Sequence, residues 1–301
     1  MTRAPARRPS VLVGLVGEGV GPSLTPALHE LEGARHGMSY VYRTIEISAR
    51  EAGPDDMADL LGAARRLGFD GLNVTHPAKQ TVLGALDELA PSAAAVGAAN
   101  TVVFDGDRAV GHNTDVTGFG AAMDDELGGC ARDRVVLLGA GGAGAAVARA
   151  LADRDVADLV VVDVDAGRAA ALASASGGRA AAPADLAREL ADADGLVNAT
   201  PMGMAAHPGA AVDLDLLSPR LFVADIVYRP VDTALLVGAR ERGCRVMAGT
   251  GMAMHQAAEA FEIFTGEAAD RRAMLADLKD LIAAEAAGNP ATRGQQKGEA
   301  E

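Results

Sequence analysis

The sequence is poor in the residues and segments that define several classes of protein. It has no tryptophan, aromatic residues make up only 3 %, and its two cysteines, Cys130 and Cys244, lie far apart. A disulfide framework and a cysteine metal site are therefore not expected, and we predict free thiols in a reducing cytoplasm. No apolar run approaches the ~20 residues that a membrane helix needs, so no membrane span is predicted.

Positive charge is scarce relative to negative charge. The 301 residues contain 27 Lys and Arg against 41 Asp and Glu, a formal net charge of −14. This balance disfavours nucleic acid and anionic membrane surfaces as partners. It does not exclude a small anionic substrate, which responds to local charge. Hydrophobic residues make up 49 % of the chain, which predicts a core of aliphatic side chains and alanine.

Strand and helix patterns alternate along the chain and predict an α/β fold. Val11–Val16 is expected to form the first strand. Thr25–Glu32 opens a helix, with Ser23 or Thr25 as its cap. Pro77 follows a further strand and is suited to the first turn of a helix.

A glycine-rich stretch, Val135–Gly144, indicates a dinucleotide site. It reads as a buried strand, a tight turn and a helix start, with Gly139, Gly141 and Gly144 in G-x-G-x-x-G spacing. The first glycine permits the turn, the second lets the backbone approach a pyrophosphate, and the third lets helix and strand pack closely. The helix N-terminus then offers unpaired N–H groups to the phosphates.

An acidic residue after the next strand predicts which dinucleotide binds. In the run Asp158–Asp165 four apolar residues precede Asp163, which lies 24 positions after Gly139. An acid about 20 residues after the glycines is expected to bind the ribose hydroxyls of NAD. Asp163 is the first candidate and Asp165 the second. No arginine directly follows the strand to meet a 2′-phosphate, and Arg168 is expected to stack on adenine or face solvent. We therefore predict NAD rather than NADP.

The order of these elements predicts two domains. Residues 10–116, completed by 252–287, would form a substrate-binding α/β domain, and residues 117–251 a Rossmann-like NAD-binding domain. The C-terminal helices would return to the first domain. Residues 1–9 and 288–301 are polar and are predicted to be disordered tails. The sequence does not decide the oligomeric state, and a homodimer is one of the states it allows.

Four polar stretches precede the glycine loop, each at a predicted strand end or turn. Singly, each has a structural explanation, such as a helix cap or a turn. Together they supply hydroxyls, amides, one lysine and one carboxylate, a set that suits a polyhydroxylated carboxylate. They are 23–26, 73–79, 97–101 and 111–115. The six histidines form no metal-binding pattern, so no metal is predicted.

These stretches resemble the shikimate dehydrogenase family, and within it the quinate/shikimate branch. The resemblance extends over about residues 11–285, and includes Asn198–Met204 and Gly249–Gln256. It implies reversible oxidation of the C3 hydroxyl of quinate or shikimate to 3-dehydroquinate or 3-dehydroshikimate. It also links the chain to aromatic amino acid biosynthesis.

The resemblance implies roles for particular residues. Lys79 and Asp115 would be the catalytic pair, with Lys79 acting as a base or stabilising an alkoxide; which of the two moves the proton is left open. Ser23 and Thr25 would hold the substrate carboxylate, with Tyr228 near it. The ring hydroxyls would be bound by Asn73, Thr75, Asn100 and Gln256. The expected cofactor-binding set is Gly139, Ala140, Gly141, Gly142, Ala143, Gly144, Asp163, Asp165, Arg168, Thr200, Pro201, Met202, Val227 and Gly249.

Two departures from the biosynthetic enzymes favour the NAD-using branch. At the carboxylate site, many biosynthetic enzymes of the family carry a Ser-x-Ser motif, whereas this chain has Thr25 in place of the second serine. At the end of the second cofactor strand they carry an Asn-Arg-Thr stretch, whereas this chain has Asp163-Val164-Asp165. An aminoshikimate dehydrogenase is the nearest alternative, because it would keep Lys79 and Asp115. A non-catalytic sensor that binds NAD and a shikimate-like ligand is the alternative from another class. It predicts loss of one of these two residues, and both are present.

Overall fold

The computed structural model describes residues 9–288, which form two compact α/β units. The first unit takes the chain up to Thr114 together with the residues from Ala257 onward, and the second takes Asp115–Gln256. Each unit has its own six-stranded sheet. The tails predicted to be disordered lie outside the described residues, apart from positions 9 and 288.

The first unit is organised on a mixed sheet. Its elements before the second unit are β1 (Ser10–Gly17), α1 (Thr25–Arg35), β2 (Ser39–Glu46), α2 (Pro54–Arg66), β3 (Gly71–Val74), β4 (Glu88–Leu89), α3 (Pro91–Val96), β5 (Thr101–Asp105) and β6 (Arg108–His112). The strand order is β2-β1-β3-β5-β6-β4. β2, β1 and β3 run parallel, and β5 is antiparallel to both of its neighbours.

Two local predictions in this unit are wrong. No side chain caps α1, and Leu24 occupies its N-cap position. The following residues explain this, because Pro26 has no N–H for a capping oxygen to accept, and the Ser23 hydroxyl reaches only the Thr25 amide, at 3.3 Å. Pro77 does not begin a helix either. It lies in a turn that the Ala78 amide closes on the Thr75 carbonyl at 2.9 Å.

The C-terminal helices return to the first unit, as predicted. They are α9 (Gly249–Thr265), which the division between the units crosses, and α10 (Arg271–Ala286). Phe261 and Phe264 are buried in a cluster with Tyr40, and the rings of Phe261 and Tyr40 stack with centroids 5.5 Å apart. The Asp270 amide also donates to the buried Glu32 carboxylate at 2.8 Å. Residues from the two ends of the chain therefore share one core.

The second unit is a parallel, Rossmann-like sheet, as the glycine loop predicts. Its first helix, α4 (Thr114–Leu127), begins one residue before the division between the units. The elements that follow are β7 (Arg134–Leu138), α5 (Gly142–Ala152), β8 (Asp158–Val162), α6 (Ala166–Ser176), β9 (Arg179–Ala181), α7 (Leu186–Ala191), β10 (Gly195–Asn198), β11 (Phe222–Asp225), α8 (Ala234–Glu241) and β12 (Arg245–Met247). The strand order is β12-β11-β10-β7-β8-β9. The chain leaves β7 toward β8 and later returns to β10 on the other side. This reversal creates a crevice at the carboxyl ends of the strands, where ligands bind in such sheets.

The core of the second unit is aliphatic, in line with the scarcity of aromatic residues. Buried valine, leucine and alanine side chains fill it, and Cys244 is a buried free thiol within it. Within residues 9–288 no helix has both the length and the apolar character to cross a membrane.

Candidate active site

The glycine loop leaves the centre of the parallel sheet, and its glycines have distinct steric surroundings. Gly139 follows β7 with a φ of +97°, and a Cβ there would lie 2.7 Å from the Ala199 carbonyl oxygen. A Cβ on Gly144 would lie 2.1 Å from the Gly139 carbonyl oxygen. Gly141 and Gly142, by contrast, have no other protein atom within 4 Å of such a Cβ. The loop is thus closed toward the protein and open at the start of α5.

A cavity of about 510 Å³ adjoins this open side of the loop. It lies at the reversal in strand order, and the predicted cofactor residues that line it come from the glycine loop, the end of β8 and the segment after β10. They are Gly139, Gly141, Asp163, Arg168, Thr200, Pro201 and Met202. Exposed backbone at a helix start and a cavity of this size fit a dinucleotide, with the pyrophosphate at the amides of α5.

Asp163 is held firmly at the edge of the cavity. Its carboxylate accepts hydrogen bonds from the amides of Ala140, at 2.7 Å, and Asp165, at 2.8 Å, and from the Arg168 guanidinium at 2.9 Å. Burial raises the pKa of Asp163, but these hydrogen bonds and the positive charge of Arg168 outweigh it and leave the pKa below its ordinary value. The acid therefore carries its negative charge beside the cavity, with its side chain only 8 % exposed.

Asp165 and Arg168 have structural partners that the sequence did not reveal. Asp165 is the N-cap of α6, and its side chain accepts from the amides of Gly167 and Arg168. Arg168 pairs with Asp163 at 2.9 Å and lies 3.8 Å from Asp165, with its side chain 56 % exposed; that it stacks on adenine stays a prediction. The second acidic candidate is thus a helix cap, and the arginine braces the first.

The segment Thr200–Met202 is held in place by hydrogen bonds to the Asn198 side chain. The Asn198 side-chain oxygen accepts from the Thr200 amide at 3.0 Å and hydroxyl at 2.6 Å, and its nitrogen donates to the Met202 carbonyl at 3.1 Å. That nitrogen also donates to the carboxylate of Asp225, 2.9 Å away. The lining of the cavity therefore depends on an amide inside the sheet.

Asp225 is a fully buried carboxylate that the sequence analysis missed. Besides Asn198 it accepts from the Thr233 hydroxyl at 2.7 Å and the Val227 amide at 3.0 Å. Burial raises its pKa, and the three hydrogen bonds offset this only in part. An acid that ends the apolar strand Phe222–Asp225 is the signal that could have identified it. Val227, a predicted cofactor residue, lies against Gly249, where a Cβ would be 2.6 Å from the Val227 carbonyl oxygen.

The surroundings of the glycines predict different results for two similar substitutions. Gly141→Ala places a methyl group on the open side of the loop, where we expect a rise of at least ~10-fold in the KM for the dinucleotide cofactor, about 1.4 kcal/mol. Gly144→Ala forces a methyl group against the Gly139 carbonyl, and we expect a loss of about 1–3 kcal/mol in the free energy of unfolding. Steady-state kinetics and urea denaturation of both variants measure these effects. A Gly141→Ala protein that is destabilised but binds the dinucleotide normally would contradict this assignment.

The predicted substrate residues are distributed over both units. The first unit contains Ser23, Thr25, Asn73, Thr75, Lys79 and Asn100, and the second contains Asp115, Tyr228 and Gln256. Asn73 and Asn100 are brought together, because the Asn73 side-chain nitrogen donates to the Asn100 carbonyl at 3.2 Å. Both are buried, whereas Ser23, Thr25 and Thr75 are half-buried.

Lys79 and Asp115 are each placed by defined local structure. Lys79 is half-buried, in the turn after Pro77, and its carbonyl accepts from the Ala99 amide at 2.9 Å. Asp115 is buried in the first turn of α4, a helix that the sequence analysis did not predict. An acid at this position is favoured by the helix dipole.

Gln256 and Tyr228 have close neighbours of their own. The backbone and Cβ of Gln256 pack directly on Gly118 of α4, where a Cβ would lie 2.9 Å from the Gln256 nitrogen. The Arg229 guanidinium lies 5.6 Å from the centre of the Tyr228 ring. Among the described residues, no group of three or more His, Cys, Asp or Glu side chains could hold a metal ion.

Comparison with known proteins gives one family across the chain. Residues 15–102 match the shikimate dehydrogenase substrate binding domain, residues 122–227 match shikimate/quinate 5-dehydrogenase, and residues 249–279 match the shikimate 5′-dehydrogenase C-terminal domain.

Individual relatives are similar over nearly their whole length. A shikimate dehydrogenase (NADP(+)) of Streptomyces avermitilis is 55 % identical, over 90 % of this chain and 96 % of the relative. A quinate/shikimate dehydrogenase (NAD(+)) of Corynebacterium glutamicum is 49 % identical, over 85 % and 94 %.

A solved structure agrees in fold as well as in sequence. The quinate dehydrogenase from Corynebacterium glutamicum in complex with NAD aligns with a TM-score of 0.86 and 46 % identity, and the alignment covers 91 % of this chain and 100 % of that one. The glycine loop, the polar residues before it and these similarities lead to one conclusion: the chain belongs to the shikimate dehydrogenase family, uses a nicotinamide dinucleotide and is an oxidoreductase.

Proposed function

We propose that the protein is an NAD-dependent quinate/shikimate dehydrogenase, which reversibly oxidises the C3 hydroxyl of its substrate to the 3-dehydro product. The observation that carries the choice of NAD is the Asp163 carboxylate, which lines the cavity at the end of β8 and keeps its negative charge. Its fixed charge would repel a 2′-phosphate, whereas ribose hydroxyls can donate to it. The NAD(+) relative and the NAD-bound neighbour support this choice.

The cofactor residues would bind the two ends of the dinucleotide differently. The open amides at the start of α5 would hold the pyrophosphate, and Asp163 the adenosine ribose. The segment Thr200–Met202 would cover the nicotinamide end. When bound, the nicotinamide accepts the hydride from the carbinol carbon.

Lys79 and Asp115 would manage the proton of the reacting hydroxyl. As the hydride leaves the carbinol carbon, the hydroxyl must lose its proton, and Lys79 would take it up or stabilise the alkoxide that forms. Asp115 would orient Lys79 and the hydroxyl. Ser23, Thr25 and Tyr228 would bind the carboxylate of the substrate, and the buried amides would bind its ring hydroxyls.

Steady-state kinetics with both cofactors tests this proposal. With quinate and with shikimate, we expect kcat/KM to be at least ~10-fold higher with NAD than with NADP, a modest figure for one ribose-site interaction worth about 1.4 kcal/mol. A higher kcat/KM with NADP would overturn the role of Asp163.

A second candidate, an NADP-dependent shikimate dehydrogenase, is favoured by one observation. Arg168 lines the cavity with its side chain 56 % exposed, and an arginine released from Asp163 could meet a 2′-phosphate. The 55 % identical relative bears the NADP(+) name.

Arg168→Ala separates the two candidates. An NAD enzyme keeps most of its kcat/KM with NAD in this variant, whereas an NADP enzyme loses at least ~10-fold with NADP, because one charge-assisted contact is worth about 1.5–3 kcal/mol. Arg149→Ala is the matched control, since it removes an exposed arginine of α5 that forms an ion pair with Asp153 and does not line the cavity.

A further inference from the structure

The loop of residues 18–22, between β1 and α1, leads directly to Ser23 and Thr25, the residues proposed to bind the substrate carboxylate. Two of its five residues are glycines, and Gly19 has a φ of +66°, in the left-handed region that glycine adopts readily. Glycine backbone is conformationally permissive, so the sequence of the loop does not fix its shape. Its shape therefore depends on contacts with the rest of the first unit.

The Glu46 carboxylate binds two consecutive amides of this loop. Glu46 ends β2, and the register of the parallel pair places it opposite Gly17, the last residue of β1. One carboxylate oxygen accepts from the Gly19 amide, and the other accepts from the Val20 amide at 3.1 Å. The proposed reaction gives Glu46 no direct role, so these two hydrogen bonds need another explanation.

The Val20 peptide groups connect Glu46 to the proposed carboxylate site. The Val20 carbonyl accepts from the Ser23 amide at 3.0 Å, and the Ser23 hydroxyl accepts from the Thr25 amide at 3.3 Å. The Val20 side chain is buried in the cluster that also contains Val13 and Tyr42. This burial fixes where the loop passes, whereas the bonds to Glu46 fix how its peptide groups are turned.

The opposite side of the loop is bonded to the turn that follows β3. The Glu18 amide donates to the His76 carbonyl at 2.9 Å. A Cβ on Gly17 would lie 2.3 Å from Thr75 Cγ2, so the end of β1 and this turn are in direct contact. The same turn leads to the proposed catalytic lysine. The loop is thus held between that turn and the carboxylate at the end of β2.

We infer that Glu46 is a positioning residue for the substrate, which orients loop 18–22 so that Ser23 and Thr25 meet the substrate carboxylate. Consecutive amides beside a residue in the left-handed region attract anions. Glu46 occupies the two amides of the loop, so the substrate carboxylate is directed to the two hydroxyls. The inference rests on the proposed function and deepens it, because it assigns a residue that controls substrate binding without touching the substrate.

Glu46→Ala tests the inference through a difference between KM and kcat. The variant leaves the Gly19 and Val20 amides without their carboxylate, and we expect the KM for shikimate and for quinate to rise at least ~10-fold, the size of one lost hydrogen bond to a charged group. kcat should stay unchanged, because the substrate carboxylate is bound equally in the ground and transition states. The KM for NAD should also stay unchanged, since the cofactor cavity lies in the second unit.

Two further variants separate positioning from a general loss of stability. Glu46→Gln keeps one acceptor oxygen but no charge, so its KM for shikimate should lie between those of the wild type and Glu46→Ala. Glu51→Ala is the matched control, because Glu51 is also an exposed glutamate of the first unit that accepts two hydrogen bonds. They come from the Ser48 amide at 3.0 Å and the Ser48 hydroxyl at 2.7 Å. This control should keep the wild-type KM.

A double-mutant cycle shows whether Glu46 acts through the two hydroxyls. Ser23→Ala/Thr25→Ala removes both, and its kcat/KM for shikimate is compared with and without Glu46→Ala. We expect Glu46→Ala to lower kcat/KM much less in this background than in the wild type, because residues that act on one interaction are not additive. Effects that multiply fully would overturn the inference.

Urea denaturation checks that each variant is folded, and Glu46→Gln carries the test if Glu46→Ala does not fold. An unchanged KM for shikimate in the Glu46 variants, or an equal rise in Glu51→Ala, would overturn the inference and leave the proposed function intact. A wild-type protein that oxidises neither shikimate nor quinate would overturn the proposed function itself.

Discussion

Replacing Lys79 with alanine is expected to lower kcat by roughly 10³-fold, within the 10²–10⁴ range of general acid–base catalysis, and to leave the affinity for NAD unchanged. The physical reason is the proton of the reacting hydroxyl, which must leave as the hydride is transferred. Lys79 lies in the first unit, whereas the cavity that fits the dinucleotide lies wholly in the second. Loss of its ammonium group should therefore not disturb cofactor binding.

Stopped-flow and steady-state rates with shikimate and quinate measure the loss of turnover, and fluorescence titration with NADH measures cofactor affinity. Lys279→Ala is the matched control, because it removes an exposed lysine of α10 in the same unit. A Lys79→Ala protein with near-normal turnover, or with lost NADH binding, would show that the lysine has another role.

Replacing Asp225 with alanine is expected to lower the free energy of unfolding by about 3 kcal/mol or more. The substitution leaves three buried donors without an acceptor: the Asn198 amide, the Thr233 hydroxyl and the Val227 N–H. Each buried donor left unpaired costs about 1–3 kcal/mol. Because Asn198 also holds the Thr200–Met202 segment, the KM for NAD should rise in protein that remains folded. Urea denaturation and cofactor kinetics measure the two effects.

Asp225→Asn distinguishes the hydrogen bonds from the charge. The amide oxygen can still accept from Asn198 and Val227, so we expect a loss of no more than about 1 kcal/mol. Burial raises the pKa of Asp225 in the folded protein above its ordinary value. The folded state therefore binds the proton more tightly, and between those two pKa values the carboxylate's contribution to stability falls as the pH rises.

This pH-dependent contribution should vanish in Asp225→Asn. Denaturation curves of the wild-type and Asp225→Asn proteins, measured across the acid pH range, would show a difference in the free energy of unfolding that changes with pH. If Asp225→Ala were as stable as Asp225→Asn, the network around this carboxylate would not be what holds the segment after β10.

The fold and the cofactor loop were predictable because their signals are local. A strand, a turn and a helix start are written into ten consecutive residues, Val135–Gly144, and their spacing alone implies a dinucleotide crevice. The place of Asp163 beside the cavity was predictable for the same reason, since it directly follows the next strand; that it binds the ribose stays a prediction. The return of α9 and α10 to the first unit was predicted from chain order and is confirmed.

Two of the missed features depend on contacts between residues far apart in sequence, and two depend on where a helix begins. Asp225 meets Asn198 from 27 positions away, and Tyr42 meets Asn73 from 31. Asp165 looked like a second ribose ligand, but whether an acid caps a helix or faces a ligand depends on where α6 begins. The ion pair between Arg168 and Asp163 was not predicted either, because it depends on how the end of β8 and the start of α6 bring the two side chains together.

The division of the first unit between both ends of the chain sets an order for folding during synthesis. Phe264 covers Gly71 of β3 so closely that a Cβ there would lie 2.4 Å from its ring, and the Glu32 carboxylate is buried beside Asp270. The ribosome has synthesised the whole of the second unit, Asp115–Gln256, before it reaches Phe264 or Asp270. The nucleotide-binding unit can thus fold first, while the nascent first unit exposes Tyr40 and its neighbours until the last helices emerge.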